Sequence, residues 1–246
     1  MRNKDLREKA SQMLAGKWMM AVLVTLVAGL FGATAIHVPS INFNFNFEMD
    51  MGILEDLPEE LAALLAVYFV VAASVASIVA TVQFVLGGVI RLGYCRYLLN
   101  LHDGGNASFK DLFSQFHRFG AAFLLNLLMA VYTFLWTLLF IIPGIVACYK
   151  YAMAPFILLE NPGMSANQAI TASKQMMKGH KGKLFLLGLS FFGWAMLCIL
   201  SWGVGYLWLN PYMNATYAAF YRSLNPGYTP QNSAAYPPQW TASPYM

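Results

Sequence analysis

Charge is what this chain has least of. Asp, Glu, Lys and Arg make up only 11% of its 246 residues, against roughly 25% in ordinary soluble domains. So little polar surface excludes a water-solvated globule of this size. No carboxylate falls inside any of the long apolar runs, which removes the Asp/Glu proton relay of a pump. The three cysteines, Cys95, Cys148 and Cys198, show no CxxC or metal-finger spacing. They read as free thiols behaving as small hydrophobes; a Cys148–Cys198 disulfide stays open as the alternative, since both lie near the same ends of their apolar runs. The four histidines, His37, His102, His117 and His180, are scattered, and there is no HExxH, no paired-carboxylate spacing and no Walker-type loop. No catalytic residue, metal ligand or cofactor is therefore expected, and the chain reads as a non-enzyme. No stretch dense in Lys and Arg is interleaved with aromatics either, so nucleic acid is not an expected partner.

What the chain does have is apolar length. Hydrophobic residues make up 59% of it, and they fall in long charge-free runs, the pattern of a chain solvated by lipid. The spacing predicts an all-α polytopic membrane protein with six spans, at about 18–36, 61–90, 119–142, 145–159, 184–202 and 204–221. These group as three hairpins. Each follows a basic amphipathic segment, beginning near residues 3, 108 and 165.

The leader carries Arg2, Lys4, Arg7, Lys9 and Lys17, with Leu6, Ala10, Met13 and Leu14 on one helical stripe. Such a helix is expected on a membrane surface facing anionic headgroups. Ala33-Thr34-Ala35 resembles a signal-peptidase site, but the leader is long and patterned as a helix of its own, so retention is expected. Residues 37–60 contain six acidic side chains and no Lys or Arg, and Asn42 to Phe47 alternates Asn with Phe. This predicts an acidic extracytoplasmic loop with an aromatic strip. The run 61–90, about 45 Å as a helix, exceeds a hydrocarbon core and must tilt or bend, with Gly87-Gly88 as the expected bend. Ala72, Ala76 and Ala80 give it a small-residue face.

Ser108 with Asp111, and Ser165 with Gln168, have the spacing of helix-start capping pairs. Phe109, Leu112, Phe113 and Phe116 follow the first pair at helical spacing, and Ala166, Ala169, Ile170, Ser173, Met176 and Met177 follow the second. Pro143-Gly144 predicts the turn between spans three and four. Arg118, Lys178, Lys181 and Lys183, with Lys9 and Lys17, mark membrane-surface positions that place both termini in the cytoplasm. The segment 223–246 has no charge and five prolines, so it is expected to be a disordered cytoplasmic tail. One domain, 1–222, remains.

Few polar groups lie inside the runs. Lys150, between Tyr149 and Tyr151, is the only cation in the interior of a run. It is expected to snorkel outward; the functional alternative is an anion-binding role. Pro211 with Asn210 and Asn214, and Gln83 and Asn126 elsewhere, complete the candidate polar intramembrane site. Kinking and interhelical bonding are their expected roles.

Together, Ala15-Gly16-Lys17-Trp18, Ile142-Pro143-Gly144-Ile145, Phe156 through Asn161-Pro162, Ser173, Met176-Met177-Lys178-Gly179, Leu184-Phe185, Gly193-Trp194 and Pro211-Tyr212 resemble the bacterial integral membrane protein family called domain of unknown function 975. The resemblance runs to about Tyr221 and omits the acidic loop and the tail. The chain is similar, more distantly, to the membrane domain attached to some glycerophosphodiester phosphodiesterases, without their hydrolytic part. The family resemblance implies a bacterial cytoplasmic membrane protein of no established activity. The expected role is that of an accessory or scaffold acting through the lipid bilayer or through another membrane protein, such as a transporter subunit. The alternative is a small-solute or lipid transporter with its site near Lys150 and the Asn210–Asn214 kink.

Overall fold

The computed structural model describes residues 3–33 and 58–225. The Asn42–Phe47 strip, most of the acidic loop, the tail beyond Asn225 and Thr34-Ala35 of the cleavage-like motif lie outside the described residues. Within them the secondary structure is helical. Two short helices open the chain, α1 (Asn3–Leu14) and α2 (Trp18–Leu30), and their axes bend by 102°. The α1 stripe is used for packing: Leu6, Ala10 and Leu14 are buried, and the Tyr212 hydroxyl donates to the Arg7 carbonyl. Its apolar face therefore turns to protein, not to lipid.

α2 is shorter than the 19 residues expected. Gly32 adopts φ +65°, and the amides of Phe31 and Ala33 both return to the Ala28 carbonyl, which closes the helix at Leu30. Its 13 residues span about 20 Å, less than a bilayer core. The freed Leu30 carbonyl accepts from Gln83 Nε2 at 2.9 Å.

α3 (Glu59–His102) follows Pro58 and runs unbroken for 44 residues, about 66 Å. From Leu61 to Phe84 nearly every described side chain is exposed, whereas Gly87 to Cys95 is wholly buried. The helix continues without a break through Gly87-Gly88, where a bend is expected. Those glycines are sites of close approach instead: a β-carbon at Gly88 would lie 2.8 Å from the Ala122 carbonyl oxygen, and one at Gly93 would lie 2.0 Å from that of Leu112.

The amphipathic helix expected near residue 108 is two 3-10 turns, Phe109–Phe113 and Phe116–Arg118. The Ser108–Asp111 capping box forms, and Asp111 also accepts from Asn100. The Ser114 hydroxyl then bonds back to the Asp111 carbonyl at 2.7 Å, a local bond that competes with helix propagation. Leu112 is buried beneath Gly93, while Phe113 and Phe116 stay exposed.

α4 (Phe119–Leu139) and α5 (Ile141–Tyr151) form a hairpin. Its turn is a single extended residue, Phe140, and Pro143-Gly144 lies inside α5. α6 (Ala154–Glu160) continues after a break. Pro155 in its first turn has no N–H to donate backward. Ser173, fully buried on α7 (Ala166–Met176), bridges that break: its hydroxyl donates to the Lys150 carbonyl at 2.8 Å and accepts from the Met153 amide at 3.2 Å. The Ser165–Gln168 capping box opens α7, and Ala166, Ala169 and Ile170 are buried with Ser173. α8 (Lys181–Leu189) and α9 (Phe192–Leu200) come next. α10 (Tyr206–Leu224) returns through the core, with every residue from Asn214 to Arg222 buried. The three cysteines are free thiols.

Four segments are long and apolar enough to cross a membrane: Ala63–His102, Phe109–Leu139, Ile142–Glu160 and Lys181–Leu200, with the bent α1–α2 pair a possible fifth. Six spans in three hairpins is thus corrected. α2 stops too early, and α10 is a polar-bearing core helix.

The Gly93 approach generates a direct test. Gly93→Ala is expected to displace the 109–113 turn and cost about 1–3 kcal/mol. Gly120→Ala, with nothing within 4 Å of its added carbon, is expected to be neutral or slightly stabilising. Thermal unfolding of the detergent-solubilised protein reads both.

Candidate functional site

The densest polar chemistry lies where α3, α6 and α10 end together. The Arg222 guanidinium, on the last turn of α10, sits between two carboxylates. Nη1 donates to Glu160 Oε1 at 2.6 Å, while Nε donates to Asp103 Oδ1 at 3.1 Å and Nη2 to Oδ2 of the same carboxylate. Tyr221 donates its hydroxyl to Glu160 Oε2 and stacks on Phe156 at 5.0 Å between centroids. His102 Nδ1 donates to Asp103 Oδ1 at 2.9 Å.

Burial grades across the cluster. The Glu160 side chain is 2% exposed, Arg222 9% and Asp103 38%. Burial alone would raise the Asp103 carboxyl, but hydrogen bonds from His102 and Arg222, with the Arg222 charge, hold it below its ordinary value. Burial also works against the Arg222 charge, yet Glu160 and Asp103 outweigh it and the guanidinium is held above its ordinary value. This is a charge-assisted, partly bidentate lock between three helix ends. In the sequence Arg222 and Glu160 stand only as single charges beside apolar runs. Lone charges at the ends of apolar runs were the only available signal, and they do not say which ends meet.

The expected intramembrane residues are dispersed. Lys150 Nζ lies 5.1 Å from the Trp136 ring centroid on α4, a cation–π contact. Asn214 donates to the Asn210 carbonyl at 2.8 Å and to its side-chain oxygen at 3.3 Å, one helical turn back beside Pro211. Gln83 holds the end of α2, and Asn126 donates to the Phe84 carbonyl at 3.4 Å. Asn210 and Asn214 are thus brought together, while the contacts made by Lys150, Gln83 and Asn126 lie on other elements.

Of the basic positions, Lys17, Lys178 and Lys183 are exposed, and Lys9 and Lys181 are half-buried. Arg118 is tied inward, donating to the Leu158 and Pro162 carbonyls at 3.1 and 3.3 Å. Lys174, on the same basic segment as Lys178, lies over both Tyr132 and Tyr151. Among the described residues no three His, Cys, Asp or Glu side chains come together as a metal site.

An all-helical body with several membrane-length apolar helices, closed at one end by a buried ion cluster, defines a class of polytopic helical proteins compatible with a membrane. More particularly, a family model described as "Protein of unknown function (DUF975)" matches residues 1–150 and 138–226. The chain belongs to that family. No curated protein and no solved structure matches it.

The ion cluster makes two predictions. Arg222→Met leaves Glu160 buried without its cation and is expected to cost about 3–5 kcal/mol. The double variant Glu160→Gln with Arg222→Met is expected to recover much of that loss, as read by denaturant or thermal unfolding in detergent. Because the folded Asp103 value is depressed, its contribution is present above the unfolded value, about 3.9, and is lost as pH falls through the folded one. Wild-type melting temperature should therefore fall on acidification below about pH 4, with a shallower slope in Asp103→Asn.

Proposed function

We propose that this protein is a non-enzymatic accessory or scaffold of a bacterial cytoplasmic membrane, acting through contacts with lipid or with another membrane protein. The observation that carries this reading is the division of the bundle along its length. The first half of α3 is apolar and exposed on all sides, and Leu138, Ile142, Leu200 and Trp202 are exposed at the corresponding ends of other helices. At the opposite end Arg222, Glu160 and Asp103 lock helices together, and Lys17, Lys178 and Lys183 are exposed. Buried polarity goes into holding the fold, and what remains for partners is surface.

The positive-inside rule assigns the lysine-rich end to the cytoplasm. The packing of α1 against α10 supports both termini on that side. The transporter alternative needs Lys150 and the Asn210–Asn214 pair to face one shared cavity. Lys150 over Trp136, and asparagines bonded to each other, favour the accessory reading.

Purification with native lipids and partners tests it. Co-elution of a stoichiometric membrane partner or of a retained lipid class is expected. Solute flux in proteoliposomes containing this protein alone would overturn it.

A further inference from the structure

A small cavity of about 70 Å³ opens where α1, the start of α8 and the end of α10 meet. It is large enough to admit water or one small polar group. Its polar lining comes from three separate elements: Asn3 on α1, His180 and Lys183 at the start of α8, and Ser223 on α10. Leu6, Phe220 and Leu224 form the apolar remainder. Among the described residues no carboxylate lines it. Asp5 and Glu8, the acidic residues of α1, fall on the far side of that helix from Asn3 and Leu6 at 3.6 residues per turn.

The local bonding orients the donors. His180 Nδ1 donates to the Lys178 carbonyl at 2.9 Å, which fixes the ring and leaves Nε2 as its second polar atom. The Ser223 hydroxyl donates to the Phe220 carbonyl at 2.7 Å, so its oxygen stays a group for the rim and not a strong anion donor. Lys183 supplies fixed positive charge, with exposed Lys178 and half-buried Lys181 beside it. The first-turn amides of α8 have no acceptor within their own helix, and they add to a positive field at the same place.

We propose that this cavity binds a phosphate group, held by Lys183, His180 and Asn3. Three observations converge on that chemistry: a cavity of single-group size, cationic and neutral donors brought from different elements, and, among the described residues, no lining carboxylate. Its position at the lysine-rich end suits the phosphate of an anionic phospholipid. The proposal rests on the lipid-contact reading above and names the headgroup and site for it.

The full chain in detergent is titrated with phosphatidylglycerol, with phosphatidylcholine and with inorganic phosphate, reading bound mass by native mass spectrometry and the melting temperature. Wild type should retain phosphatidylglycerol over phosphatidylcholine. Lys183→Gln and His180→Gln should each weaken retention, the former by roughly tenfold. Lys110→Gln, which removes an exposed charge on the 109–113 turn away from the cavity lining, should retain it. The ligand-free melting temperatures of the variants check that each still folds.

Displacement by inorganic phosphate would support the site with free phosphate as a sufficient ligand. Binding of phosphatidylglycerol without such displacement would support it with lipid as the source. Equal losses in Lys183→Gln and Lys110→Gln, or equal retention of both lipids, would overturn it as diffuse surface electrostatics. Partner co-elution and the absence of flux are read independently, so the site and the accessory role fail separately.

Discussion

The closed end of this protein depends on one cation between two anions. Arg222 joins residues 62 and 119 positions away in sequence, so its pairings set the register of α10 against both α6 and α3. A buried guanidinium is tolerable only when its donors are satisfied and its charge is matched. Here Glu160 and Asp103 meet it; Tyr221 uses the second oxygen of Glu160, and His102 shares Asp103 Oδ1 with the guanidinium. Phe156 stacked on Tyr221 shields the inner side, while Asp103 remains partly wet. The graded burial lets the cluster act as a helix lock without isolating its whole charge from solvent.

Away from that lock, the backbones are brought together by small groups and by borrowed hydrogen bonds. α3 can lie against the Leu112 turn because Gly93 has no side chain. Across the α5–α6 break, Ser173 bonds both the Lys150 carbonyl and the Met153 amide. These devices concentrate in one half of the bundle. In the other half the helices expose apolar side chains, which suits lipid, where helix surfaces gain little from meeting one another. The molecule thus has a packed, charged end and an apolar, lipid-compatible end, and the proposed phosphate site lies at the former.

Much of the local structure was legible in the residues. The stripes Leu6–Ala10–Leu14 and Ala166–Ala169–Ile170 face the core, and both capping boxes form. The misreadings share one cause. Gly87-Gly88 and Pro143-Gly144 carry turn-forming residues, but glycine serves equally for close packing and proline fits the first turn of a helix. The Phe109–Phe116 spacing is helical, yet Ser114 and Asp111 bond locally and hold it as 3-10 turns. Hydropathy likewise counted α2 and α10 as spans, because composition cannot show that one stops at Leu30 or that the other is enclosed by protein.

By itself the sequence determined the helical class, the membrane-compatible apolar runs, the basic end and the family. The first three follow from composition and from spacing along one chain, the family from the resemblance of its motifs. Only the tertiary structure decided that Asp103, Glu160 and Arg222 form one cluster, that Lys150 is drawn to Trp136, and that Asn3, His180 and Lys183 line one cavity. Those pairings join residues far apart in sequence. Their partners are selected by which helix ends pack together, and a pattern of 3.6-residue repeats does not contain that choice.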